Sequence, residues 1–376
     1  MIMRIIIIFA FLFSVLSLRA DKLPLYHLSM LFPLPEEDRA ELPGLKLGGC
    51  SQSIFDKQMY LEMPRLLLTP QTHEDEYESQ RLVGMRWDLD ENEVRLIFQP
   101  LREGDSRRTH APWIAEDAAL HLFFKAPNLL RDHAIKRELR RLNDLSSNLS
   151  YSKLGLHPAF ESSLDVKEKL SSLLCRIAGW GLYKATFMTE RRGRVMWHFG
   201  GFKIEGAPAN RKLGPELALV NLNQRFQDDN NEVSTSIQRM VRGPNRLRAA
   251  VFPQAQQGDH LNELFNEGKT AFQTEGVAKM RKRIDRIENP KLNNPSTVDC
   301  VSCHAVESAR RVSTREYGAV ASEDAMVLPL EYELDRSIPD FAMDNTINLR
   351  SFGYYDSDPV ISRRVLLESY LFQQAF

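Results

Sequence analysis

The chain has 376 residues, 43% hydrophobic and 26% charged, with 49 basic against 50 acidic side chains and a net charge of −1. These are the proportions of a globular protein with length enough for two domains, which excludes a disordered chain. The near-zero charge offers no overall field for nucleic acid or for an anionic membrane, so neither is expected as a partner.

Arg4 and the amino terminus form a short positive region. An uncharged, mostly apolar run from Ile5 to Leu18 follows, then Leu18-Arg19-Ala20. This is the layout of a secretory signal peptide over residues 1–20, cut after Ala20, although Leu18 is larger than the residue usually found at its position. The run is shorter than the ~20 apolar residues of a membrane span. No cysteine follows it to carry a lipid, and no later segment is apolar enough to cross a bilayer. The expectation is a periplasmic protein with no stable membrane span once the signal is removed.

Residues 21–80 contain Pro24, Pro33, Pro35, Pro43, Pro64 and Pro70, which break any long periodicity. They read as an irregular leader packing on the core, with His73-Glu74-Asp75-Glu76 as a solvated acidic turn. From residue 81 the pattern is that of strands. Val83, Met85, Trp87 and Leu89 alternate with Gly84, Arg86 and Asp88, and after a polar turn Val94, Leu96 and Phe98 alternate with Arg95 and Gln99. This predicts a hairpin with one buried face. Another strand is expected over 119–125, with Leu120, Leu122 and Phe124 on one side. Helices are expected near 132–144 and 164–178. A second hairpin runs through Tyr183, Ala185 and Phe187, turns at 190–193, and returns through Val195, Trp197 and Phe199. Leu217 to Leu222 predicts a further strand. Antiparallel hairpins with helices give an α+β class, with residues 81–230 as the hairpin-rich domain.

A polar break at 228–232 precedes a more helical region, 231–376. A helix is expected within 260–288, stopped by Pro290 and Pro295. Ser296 to Asp299 supply capping residues for the next helix. Asp358 and Pro359 read as the cap and first position of a last helix, with Ile361, Val365 and Phe372 along one face.

On the first turns of the expected helix after Asp299 lies Cys300-Val301-Ser302-Cys303-His304. C-x-x-C-H is the attachment sequence for covalent haem: two thiols form thioethers and the adjacent histidine reaches the iron. Zinc is another use of cysteine and histidine, but it wants further ligands at recognisable spacing, and no second C-x-x-C or H-x-x-x-H occurs. A dithiol or disulfide between Cys300 and Cys303 would leave His304 unexplained. Through these five residues the chain resembles the c-type cytochromes. The resemblance implies one covalent haem c, thioethers at Cys300 and Cys303, and His304 as the proximal iron ligand. The segment after the motif, Ala305-Val306-Glu307-Ser308, departs from the Gly-Pro-Leu-like pattern of small cytochromes c, so the attachment chemistry carries over and the fold does not.

The sixth iron ligand decides what such a haem does. Met326 and Met343 are the methionines downstream, where there is no further histidine. A histidine or methionine from the upstream domain is the other source, with His157 and His260 available. Arg310 and Arg311 are candidate contacts for the haem propionates, since a guanidinium matches a carboxylate. Three functions stay open. The first is an electron carrier serving a redox partner protein. The second is a peroxidase-like haem enzyme with an open sixth site. The third is an exported binding or structural protein that the haem braces.

Cys50 and Cys175 remain. On the helix over 164–178, Cys175 lies opposite the stripe of Val166, Leu170, Leu173, Leu174 and Ile177. In an oxidising compartment the two are expected to form a disulfide, the alternative being two separate thiols.

Overall fold

The computed structural model describes residues 22–35, 42–46, 50, 53–67, 72–88, 92–104, 112–126, 133–145, 149–191, 196–205, 212–213, 219–225, 234–240, 276–294, 297–298, 300–339 and 350–375. The expected signal peptide, the helical pattern from His260 to residue 275, the capping residues Ser296 and Asp299, and Met343 lie outside the described residues.

Alternating side chains make extended segments, and these pair with their neighbours in chain order. Strands β1 (Ser29–Leu31), β2 (Gln80–Asp88), β3 (Glu93–Glu103), β5 (Ala118–Lys125), β7 (Leu182–Arg191), β8 (Met196–Glu205), β10 (Leu219–Arg225) and β11 (Ser234–Met240) lie side by side in that order, all antiparallel. Strand β4 (Trp113–Ala115) pairs with β3 and β9 (Lys212–Leu213) with β8. The short pair β6 (Lys153–Leu154) and β12 (Glu333–Leu334) is parallel. The protein is α+β with an antiparallel, hairpin-rich sheet.

The leader is more regular than its prolines suggest. It forms α1 (Leu25–Leu28), α2 (Lys57–Leu61) and α3 (His73–Ser79), and β1 extends the sheet at the edge of β2. Glu76 corrects the expectation of a solvated turn. Its buried carboxylate accepts from the Tyr60 hydroxyl at 2.7 Å and from the Leu66 and Leu67 amides at 2.9 and 3.0 Å. These bonds satisfy a charge that would otherwise be costly to bury.

One face of the sheet carries Met85, Trp87, Val94, Leu96, Phe98, Leu120, Leu122, Phe124, Ala185 and Phe187, all buried. They share a hydrophobic cluster with α4 (His133–Leu145) and α6 (Leu164–Gly179), which follows the short α5 (Ala159–Ser162). Ser163 caps α6 by accepting the Val166 amide at 3.3 Å, and the expected stripe from Val166 to Ile177 is buried. Cys175, off that stripe, is joined to Cys50 with Cα atoms 5.5 Å apart.

The second face is covered by the end of the chain. Helix α7 (Val277–Glu288) packs with α8 (Cys300–Tyr317). A hairpin of β13 (Phe352–Tyr355) and β14 (Asp358–Ile361) leads into α9 (Arg363–Ala375). Asp358 and Pro359 therefore belong to a strand, not to a helix start. Pro359 faces Tyr354 in a two-stranded ribbon, where a missing N–H costs little. Gln99 fixes this ribbon to the sheet: its side chain donates to Tyr354 O at 3.0 Å and accepts from Tyr354 N at 2.7 Å. Gly84 is required by the close approach, because a Cβ there would lie 2.5 Å from the Phe352 ring. Among the described residues no helix is long and apolar enough to cross a membrane.

The Cys50–Cys175 pair closes a separation of 125 residues. Replacing both with serine is expected to lower the unfolding free energy by about 2–5 kcal/mol, mostly by freeing the unfolded chain. Denaturant unfolding checks this, and an unchanged midpoint would count against the pairing.

Candidate functional site

Helix α8 begins at Cys300, so positions 300, 303 and 304 stand at i, i+3 and i+4 and share one helix face. The side chain of Cys300 lies outside the described residues. Cys303 and His304 are half-buried and line a cavity of about 230 Å³. The floor of this cavity is the second face of the sheet. Its far side is formed by Ser362, Arg364, Val365 and Glu368 around the start of α9, with Ser351 and Phe352 beside them.

The strand registers arrange the floor in two rows. One row crosses five strands as Arg86, Arg95, Phe123, Lys184 and Lys203. The next crosses as Gly84, Ile97, His121, Thr186 and Gly201. Within the first row the Arg95 guanidinium lies 4.7 Å and the Lys184 ammonium 4.1 Å from the Phe123 ring centre, a cation–π sandwich.

Like charges placed directly opposite on neighbouring strands repel, so Arg86 beside Arg95 needs anions nearby. Glu368 supplies one, bridging Arg86 and Arg364, the latter at 2.8 Å. Burial opposes this charge, but Arg364, Arg86 and Arg95 hold the Glu368 carboxyl down at about 2. Arg95 also lies 3.6 Å from both Asp88 and Glu93, while its Nε is buried without a hydrogen-bond acceptor. Among the described residues lining the cavity, five are Lys or Arg and one is a carboxylate. Asp88 and Glu93 stand just beyond it, beside Arg95.

His121 is enclosed by protein yet keeps accessible area, because what it faces is the cavity. Burial first, and then the charges of Arg95, His304, Arg350 and Arg86, push its imidazole well below the ordinary value, so it is neutral at pH 7. Burial raises the Cys303 thiol despite Arg364, which leaves a protonated thiol in place of a reactive thiolate.

The other candidates from the sequence stand elsewhere. Arg310 pairs with Glu288 at 3.0 Å and with Glu307, and Arg311 pairs with Glu307 at 2.9 Å. Glu307 in turn accepts the Arg363 amide at 3.1 Å, at the start of α9, where a negative charge is favoured. These arginines thus join α7, α8 and α9, and neither is among the residues lining the cavity. The arginines that do line it are Arg86, Arg95 and Arg364. Met326 is buried outside that lining, where its carbonyl accepts from Arg363 at 3.1 Å. His260 lies outside the described residues.

His157 is in the core, its Nε2 3.2 Å from Nδ1 of His27. Burial lowers these imidazoles to about 4 and about 3, respectively. His121 was not anticipated, nor were Arg86, Arg95, Lys184, Lys203 and Arg364. For the five on strands the available signal was their shared parity, since they alternate with the core residues; Arg364, on α9, carried no such signal.

The donor chemistry fits a haem. A thiol and an imidazole stand on one helix, apolar Ile97, Phe123, Val298, Phe352 and Val365 line the walls, and Arg86, Arg95 and Arg364 are guanidinium groups of the kind that meet carboxylates. Among the described residues no group of three or more His, Cys, Asp or Glu side chains is placed to hold a metal ion. No family model matches the chain, and no curated protein or solved structure is similar to it.

The buried histidine pair makes stability depend on pH. Between its unfolded value near 6.5 and its folded value near 4, His157 binds a proton only when the chain is unfolded. Stability should therefore fall as pH falls through that window. In His157→Gln this dependence should be shallower by about 1.4 kcal/mol per pH unit. Chemical unfolding of both proteins from pH 7 to 4 checks it, and equal slopes would refute it.

Proposed function

We propose that this chain is an exported, periplasmic c-type haem protein that carries single electrons to or from a redox partner protein. In this proposal the haem is attached through Cys300 and Cys303 and its iron is held by His304. The observation that supports it best is that the C-x-x-C-H helix opens onto a cavity with apolar walls, lined also by His121 and by Lys and Arg side chains.

Bound there, a haem would supply a reversible one-electron iron couple. The chain's own residues do the rest. Helix α8 presents thiol and imidazole from one face, so attachment and ligation need no rearrangement between distant segments. Phe123, Phe352, Ile97 and Val365 exclude water, which favours electron transfer over reaction with solvent. Arg86 and Arg95 offer guanidinium groups to carboxylates, and Lys184 and Lys203 add charge beside them. Glu368 keeps Arg86 and Arg364 oriented toward the cavity.

Expression together with a cytochrome c maturation system should give a chain that stains for haem on a denaturing gel. Cys300→Ala with Cys303→Ala should abolish the stain. An unstained wild-type chain, or a stained double variant, would overturn the proposal. In the haem-loaded protein, Arg95→Gln should lower the reduction potential, because the lost cation favours the electron-rich reduced form. A redox titration checks the sign.

A further inference from the structure

We infer that His121 is the second axial ligand of the haem iron, across the cavity from His304. The inference rests on the haem proposal above and extends it to what that iron can do.

Strand β5 carries His121 on the face opposite Leu120 and Leu122, so the imidazole points away from the hydrophobic core and into the cavity. Its cross-strand neighbours are Ile97 and Thr186, and the ends of its row are Gly84 and Gly201. Those glycines add no side chains above the floor, so His121 is the one large polar group in the row. Helix α8 brings His304 to the same cavity from the layer that covers the sheet. The two histidines thus approach one space from two elements.

The ring of His121 has no other employment. Among the described residues no side chain or backbone group hydrogen-bonds to it, and its one ring contact is with Phe123, at 6.5 Å. An enclosed imidazole ordinarily finds a partner. The other described histidines outside β8 are placed differently: His27 and His157 bond each other, His73 lies against Tyr60, and His133 is exposed at the start of α4. No methionine occurs among the described residues lining the cavity.

The cationic row lies two residues along the strands from His121, about 7 Å away. A ring ligated at His121 would have its carboxylates within reach of that row. Two imidazole ligands close the iron to small molecules and suit electron transfer, not peroxide chemistry.

The test uses the full chain, matured with haem, as wild type, His121→Ala and His121→Met. The wild type should be low-spin by optical and paramagnetic resonance spectra and should not bind carbon monoxide when reduced. His121→Ala should stain for haem as strongly as wild type but turn high-spin, bind carbon monoxide, and return to low-spin on adding imidazole. His121→Met, which keeps a buried donor should the alanine variant fail to fold, should lose the bis-imidazole signature. Haem staining with wild-type spectra in both variants would overturn the assignment alone. No haem in the wild type would remove the underlying proposal and the assignment together.

Discussion

Placing two arginines side by side beneath the C-terminal helices is the constraint on which the rest of the structure depends. Arg86 and Arg95 stand side by side on adjacent strands, with Lys184 and Lys203 further along the same row. In water such a row is harmless. Under α8 and α9 the two arginines need anions. Glu368 ties Arg86 to Arg364, while Asp88 and Glu93 flank Arg95. The cavity beside this network is where one face of α8 presents Cys303 and His304.

The covering layer is fastened by polar contacts as well as by buried apolar side chains such as Phe352, Val365 and Phe372. Arg364 reaches the Asn293 carbonyl at 2.8 Å as well as Glu368, so α9 is tied to the end of α7 and to the sheet at once. Glu307 joins Arg310 and Arg311 to the first amide of α9. Burial pushes Glu288 up to about 7, with Arg310 pulling against it. Gln99 holds the β13–β14 ribbon through both its amide groups. Because each partner satisfies another buried group, loss of one would strand the rest.

Much of the first face was legible locally. The alternation over 83–99 and 119–125 named its core residues, and the stripe from Val166 to Ile177 named a buried helix face. The pairing of Cys50 with Cys175 followed from helix geometry and a count of cysteines. The second face was misread in kind. Alternating charge on a strand ordinarily means solvent, so the alternation of Arg86 and Arg95 with apolar residues predicted one buried face and nothing over the other. Arg310 and Arg311 were singled out because they lie near the motif in sequence, yet a helix carries them past it to Glu288 and Glu307. Asp358-Pro359 had the composition of a helix start, but pairing with Tyr354 and Tyr355 made it a strand.

The sequence by itself determined which side chains share a face and which five residues form the C-x-x-C-H motif. Those properties follow from spacing along one helix or strand, and nothing distant alters them. Only the tertiary structure decided what the motif faces. His121 stands far from His304 in sequence. It reaches the same cavity only because two strand pairings put it in register with Ile97 and Thr186, and because the last hundred residues fold back over that face. Local periodicity marks a polar face but carries no information about what covers it.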